Sequence, residues 1–186
     1  MSVTIGRRSY VVPDLINRFD ADLEVGAFTS IARTLTLLGN KAMHACALHP
    51  EAVSTFPLYE RIQAHDFYQL DGQGHFIIGN DVWIGADVTL VKNLNIHSGA
   101  IVAARSVVTK DVPPYAVVAG NPARIVKYRF TPEQIKQLLE IRWWDWPEDV
   151  IRERAKDMRD INVFLQKYAT PSPVSGQTEG DDRLGQ

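Results

Sequence analysis

One cysteine, Cys46, stands in 186 residues, which excludes an internal disulfide and the stapled architecture of small secreted domains. A reducing cytoplasm is the expected compartment. No stretch approaches the roughly 18 consecutive apolar residues of a membrane-spanning helix. The N-terminal MSVTIGRRSYVV has no long apolar run after its charges, so an unprocessed chain without membrane insertion is expected. Neither sign of charge dominates: 20 Lys and Arg against 22 Asp and Glu give a formal net charge of -2. With the basic residues spread along the chain, a broad cationic surface and a nucleic-acid partner are excluded. Gly-rich phosphate loops are also missing, because IGNDVWIG at 78–85 has neither the spacing nor the context of a dinucleotide or P-loop motif. What remains, at 45% hydrophobic and 23% charged, is the composition of a globular protein long enough to bury a core in one main domain.

The informative signal is a repeat of six. From Ile78 the chain divides into IGNDVW, IGADVT, LVKNLN, IHSGAI, VAARSV and VTKDVP, which puts Ile78, Ile84, Leu90, Ile96, Val102 and Val108 at one repeated position. Four residues after each stand Val82, Val88, Leu94, Ala100, Ser106 and Val112, a second inward row of small or apolar residues. Asn80, Asp81, Asp87, Lys92, Asn93 and Arg105 lie between them. A six-residue period drifts around an α-helix, and it lacks the period-two alternation and tight turns of a hairpin meander. It fits a chain wound into triangular coils, with one aliphatic residue per side stacked on its equivalents and with Gly, Asn and Asp suited to the corners. The expected fold is mainly β, a left-handed parallel β-helix.

A weaker copy of the phase, Phe19, Val25, Ile31 and Leu37 with Leu23, Thr29 and Leu35 as companions, carries the coil upstream. From about 43 to 74 the phase is lost, which predicts a loop thrown out of the coil; loops of this length are usually functional where they occur. After Val112 the segment PPYAVVAGNPARIVKYRF predicts a last partial turn and a basic exit. Thr131, Pro132 and Gln134 then form a capping-box signature ahead of Ile135, Leu138 and Leu139. WWDWP breaks this helix, and Pro147 opens a second one carrying Val150, Ile151, Ala155, Met158, Ile161, Phe164 and Leu165. The expected organisation is a β-helix domain over 1–130, helices packed on the coil over 131–169, and a disordered, apolar-poor tail over 170–186.

IGNDVWIG at 78–85, the segment at 107–130, the WWDWP at 143–147 and HPEAVSTFP at 49–57 together resemble the xenobiotic acetyltransferases. These are hexapeptide-repeat enzymes that include streptogramin A and type B chloramphenicol acetyltransferases and many sugar O-acetyltransferases. The resemblance covers residues 25–146 and implies an acetyl-CoA-dependent acetyltransferase assembled as a homotrimer, with active sites between neighbouring coils. It implies a catalytic histidine at His49, five residues before Ser54, with His44 in reserve; Leu48 and Pro50 flank His49 where the family commonly has Asn or Gly and a basic residue. It implies an acceptor contact at Ser54, Phe56 and Tyr59. For the acetyl-CoA groove it implies Trp83 and Gly85 near the thioester and Asn121, Pro122, Ala123, Arg124 and Lys127 toward the nucleotide, while the small size of Ala103, Ala104 and Ser106 makes them the expected slim edge.

The chemistry suits these residue types. A neutral imidazole, with an ordinary pKa of about 6.5, can take the proton of an attacking hydroxyl near physiological pH. CoA pairs a slender apolar arm with a phosphorylated nucleotide, which calls for small residues along a groove and cations at its end. The plainer readings are a turn-shaping His49 beside Pro50, a small buried Cys46 rather than a nucleophile, and a solvated basic exit for Arg124 and Lys127. His44 and His49 also make an H-x4-H pair resembling the zinc ligands of gamma-class carbonic anhydrases on this fold. That site needs a third histidine from an earlier coil, and none precedes His44, so no metal is assigned. The expected function is O-acetylation of a small-molecule or sugar hydroxyl. An antibiotic acceptor or amino-sugar N-acetylation is the alternative, and a non-catalytic trimeric scaffold is the reading from another class.

Overall fold

A computed structural model of the chain describes residues 2–11, 16–19, 21–39 and 74–169. They belong to two compact units, Met1–Ile135 and Lys136–Gln186. Nearly all of the expected 43–74 loop and the whole 170–186 tail lie outside the described residues.

Among the described residues the first unit has thirteen strands in three sheets. β1 (Val3–Ile5), β3 (Ala21–Val25), β6 (Gly74–Ile78) and β9 (Leu94–Ile96) form one face in that order. β4 (Ser30–Ile31), β7 (Trp83–Ile84), β10 (Ile101–Val102), β12 (Ala116–Gly120) and β13 (Ala123–Tyr128) form the second, and β2 (Ile16–Phe19), β5 (Leu35–Leu38), β8 (Val88–Val91) and β11 (Val107–Val108) the third. From β3 to β11 the chain visits the three sheets in rotation, and every pairing among these strands is parallel. Ile78 is in register with Ile96, Ile84 with Val102 and Leu90 with Val108, so three repeats of six complete one turn. The turns on either side of the loop are themselves adjacent: Val25 pairs with Ile78, Ile31 with Ile84 and Leu37 with Leu90. The chain therefore leaves after β5 and resumes at β6 without a break in the stack.

Both expected rows point inward. Ile78, Ile84, Leu90, Ile96, Val102 and Val108 are buried, as are Val82, Val88, Leu94, Ala100, Ser106 and Val112. Each fully buried Val, Leu or Ile contributes about 1.5–3 kcal/mol, so the stacked rows are the main source of stability. The polar member of the upstream row, Thr29, is satisfied by its neighbours: its hydroxyl donates to Gly79 O at 2.7 Å and accepts from Val82 N.

The corners use Asp81, Asp87 and Gly99, as their suitability led one to expect, and other residue types as well. Left-handed backbone occurs at Phe28, Thr34, Asp81, Asp87, Lys92, Arg105 and Tyr115, with φ between 53° and 67°. Such a residue costs about 1–2 kcal/mol, but the amides of Phe28, Asp81, Asp87, Lys92, Arg105 and Tyr115 are tied to the adjacent turn. Asp81 N–H donates to Ala27 O, Asp87 N–H to Arg33 O, Arg105 N–H to Ala86 O and Tyr115 N–H to Ser98 O. Stacking of the turns, rather than the residue's own preference, holds the conformation.

The exit from the coil is also more ordered than expected. β12 continues the parallel sheet beside β10, and β13 folds back on β12 as an antiparallel hairpin with a bulge opposite Val117 and Val118.

The capping box forms as read. Thr131 N–H donates to Gln134 Oε1 at 3.1 Å, and Gln134 N–H donates to Thr131 Oγ1 at 3.3 Å, which starts helix α1 (Pro132–Ile141). Arg142 turns left-handed and a 3₁₀ turn at Trp143–Asp145 buries Trp144. The single helix expected from Pro147 is corrected to three pieces: α2 (Glu148–Arg154), a 3₁₀ turn at Asp157–Arg159 and α3 (Ile161–Tyr168). The break is local chemistry, because the Asp160 carboxylate accepts from Asn162 N and Val163 N and caps a new helix. Within this second unit Trp146 packs edge-on against Tyr168, Phe164 is tilted against both, and the Arg154 guanidinium lies 4.6 Å from the Trp146 ring.

Candidate functional site

The second sheet, the corners after β7 and β10 and the β12–β13 turn collect most of the expected acetyl-CoA residues that the structure describes. Strand alternation turns Ile84 inward and leaves Trp83 outward, 53% exposed, on β7. Across the sheet Trp83 is in register with Ile101, Ile101 with Val117 and Val117 with Lys127. At strand spacing this row spans about 14 Å from the indole to the lysine strand. Ile101 and Val117 were not singled out from the sequence, although the six-residue phase puts both beside inward residues and hence outward.

The corner that follows this row is narrow for a steric reason. Gly85 N–H donates to Val102 O, and the Ala103–Ala104 peptide of the next turn lies against the Gly85 Cα. A Cβ on Gly85 would stand 2.5 Å from Ala104 N and 2.8 Å from Ala104 Cα, closer than any side chain tolerates. Ala103 is half-buried and Ala104 exposed, so together with Gly85 they form a strip with little side-chain bulk. Ala103 N–H donates to Val118 O, and Ala119 on the following strand pairs with Arg124. The strip thus leads from β7 to the β12–β13 hairpin.

Ser106 does not share that edge, which corrects its expected place beside the alanines. It is fully buried, and its hydroxyl accepts from Gly120 N–H at 3.2 Å. Its position in the inward row decides this, and its polar atom braces the hairpin turn from within. Asn121 and Pro122 form the exposed tip, joined by a cis peptide, while Ala123 packs partly against the core. Arg124 and Lys127 stand exposed on β13, and Arg124 Nη1 donates to the Ala123 carbonyl. The arrangement offers a slender apolar path ending at two cations, the donor set that a long thioester carrying phosphates would use.

His49, His44, Ser54, Phe56 and Tyr59 lie outside the described residues. So does Cys46. Of the histidines that are described, His75 is exposed, its Nε2 3.5 Å from Glu24, and His97 is exposed on the turn after β9. Among the described residues no group of three His, Cys, Asp or Glu is placed to hold a metal ion, and no helix is long and apolar enough to cross a membrane.

Beside this face lies a cluster that sequence reading missed. The Arg129 guanidinium donates to Gly99 O at 2.7 Å and to Asp81 Oδ2 at 3.2 Å, and lies 5.3 Å from both the Tyr115 and Phe130 ring centroids. Burial pushes the Asp81 carboxyl above its ordinary range, against the downward pull of Arg129. Burial likewise pushes up the Tyr115 phenol, whose oxygen has no hydrogen-bond partner among the described residues. The only signal in the sequence was a basic residue in the exit segment, which does not distinguish a solvated arginine from one folded back on three turns.

No protein-family model matches the chain. Its relatives are nonetheless clear. It is 38% identical over 167 residues to a chloramphenicol acetyltransferase of Klebsiella aerogenes, covering 86% of this chain and 76% of that protein. It is 38% identical over 162 residues to a protein described as a probable macrolide acetyltransferase of Lysinibacillus sphaericus, covering 82% and 87%. Its fold is similar to the crystal structure of the polySia-specific acetyltransferase NeuO, at 26% identity and a TM-score of 0.51, covering 69% of this chain and 49% of that one. The repeat of six, the parallel three-sheet stack it builds and similarity over most of two related enzymes lead to one conclusion: the chain belongs to the hexapeptide-repeat acetyltransferases and is an acyltransferase.

Proposed function

We propose that this protein transfers acetyl from acetyl-CoA to a hydroxyl of a small molecule, in the cytoplasm, as a homotrimer of left-handed parallel β-helices. The observation that carries the reading is the Gly85, Ala103 and Ala104 strip, flanked by Trp83 and ending at the cations of β13. Pantetheine would lie along the strip with its thioester toward Trp83, and the nucleotide would lie toward Arg124 and Lys127. His49 is the general base, with His44 in reserve, and Ser54, Phe56 and Tyr59 contact the acceptor. The imidazole takes the hydroxyl proton as the oxygen bonds to the thioester carbonyl carbon; the C–S bond then breaks and the proton passes to the departing CoA sulfur. Such base assistance is worth about 10²- to 10⁴-fold, and no covalent enzyme intermediate is needed.

A hydroxylated antibiotic leads as the acceptor, because the chloramphenicol and macrolide relatives match over most of both chains. A sugar or polysaccharide hydroxyl is the second reading, supported by the likeness to the polySia-specific enzyme. Calorimetric titration with acetyl-CoA, followed by thiol release over chloramphenicol, macrolides and sugars, tests both. Saturable binding with acceptor-dependent thiol release is expected. Absence of binding at millimolar acetyl-CoA would overturn the assignment in favour of a zinc site or a non-catalytic scaffold.

A further inference from the structure

β13 is an edge strand, with five of its six residues exposed. Its ladder to β12 is irregular where it matters. Val118 pairs with Ile125 and Val117 with Lys127, so Val126 is the extra residue of a bulge. Beyond the bulge only the pairs Val117 with Lys127 and Ala116 with Tyr128 remain. A strand end held by two pairs beside a bulge should fray.

Arg129 follows immediately. Its N–H donates to Tyr115 O at 2.9 Å, prolonging the ladder by one bond. Its side chain crosses to Gly99 O and Asp81 Oδ2, and lies over both the Tyr115 and the Phe130 ring, each centroid 5.3 Å away. Asp81, Gly99 and Tyr115 are corners of three successive turns, joined to one another through Gly99 N–H to Asn80 O and Tyr115 N–H to Ser98 O. The guanidinium is thus a clasp on the rigid stack, attached two residues from Lys127. Its planar fork and flat faces suit this role in a way that a lysine ammonium does not.

We infer that Arg129 is a positioning residue for the acetyl-CoA site, holding Lys127 at the nucleotide end by clasping β13 to the coil corners. The inference rests on the proposed placement of the nucleotide at β13.

Arg129→Met is expected to raise the KM for acetyl-CoA by about tenfold with kcat at saturation kept within about twofold. It should also speed amide exchange over Val126–Tyr128 by about tenfold while leaving β10 protected. In a Lys127→Ala background the same substitution should add little to KM, because one residue acts through the other. Unchanged exchange at Val126–Tyr128, or a full additive KM loss in the Lys127→Ala background, would overturn the clasp. An unchanged KM in Lys127→Ala alone would instead overturn the nucleotide placement, with the exchange result still deciding whether Arg129 holds the strand. Should Arg129→Met not fold, Arg129→Lys carries the same test, since it keeps the charge but not the fork.

Discussion

Gly99 lies flat against the ring of Tyr115, so close that a Cβ at residue 99 would fall among the Tyr115 Cδ1, Cε1 and Cζ atoms. Gly99 also has φ +75°, in the left-handed region. Gly99→Ala therefore meets two penalties at once, backbone strain and an aromatic wall that the Arg129 clasp holds in place. The expected destabilisation is about 2–4 kcal/mol, read as a fall in Tm of about 5–15 °C. A Tm within a degree or two of the parent would show that the corner relaxes freely.

The same ring supplies a substitution of opposite sign. The Tyr115 hydroxyl is buried without a hydrogen-bond partner among the described residues, so it has been desolvated without compensation. Tyr115→Phe removes the oxygen and keeps the ring that packs on Phe130 at 5.6 Å. Stability in urea is expected to hold or rise by about 1 kcal/mol; a loss of that size would reveal an unseen partner for the phenol.

Asp81 gives the clasp a pH signature. The carboxylate faces Arg129 and the neutral Tyr115 phenol. Burial raises its pKa above 3.8 in the fold, and Arg129 limits the rise. A raised carboxyl pKa carries no penalty below the unfolded value and a full one above the folded value. Arg129→Met lets the folded value climb further, so the stability gap between parent and variant should widen as pH rises from about 4 toward 7. Thermal melts of both proteins across that range test it; a gap independent of pH would mean that the loss is packing alone.

His49→Ala should leave folding and assembly intact and lower kcat by at least about 10²-fold. Steady-state thiol release for His49→Ala and His44→Ala, measured side by side, separates the two histidines. Near-normal turnover in His49→Ala would transfer the role of base to His44.

Much of this molecule was legible in advance because a stack of identical turns is close to one-dimensional. Ile78 to Val108 and Val82 to Val112 reveal both inward rows, since each turn repeats the environment of the last. The Thr131–Gln134 capping box was readable for a related reason, being closed by residues three apart. Readings failed where a single side-chain hydrogen bond overrides what size or spacing suggests. Ser106 looked like an edge residue by its size, yet its row turns it inward to Gly120. The second helix looked continuous by its apolar spacing, yet Asp160 caps a new start within it.

By itself the sequence determined the period, the inward rows, the family and the residue types available for acyl transfer, because these depend on spacing along the chain. Only the tertiary structure decided that corners turn left-handed on Lys92, Arg105 and Tyr115, that Gly85 is demanded by the next turn's peptide, and that Arg129 reaches back over three turns to steady an edge strand. Those depend on which atoms face each other between turns, and contacts between residues as far apart as Asp81 and Arg129 leave no local pattern to read.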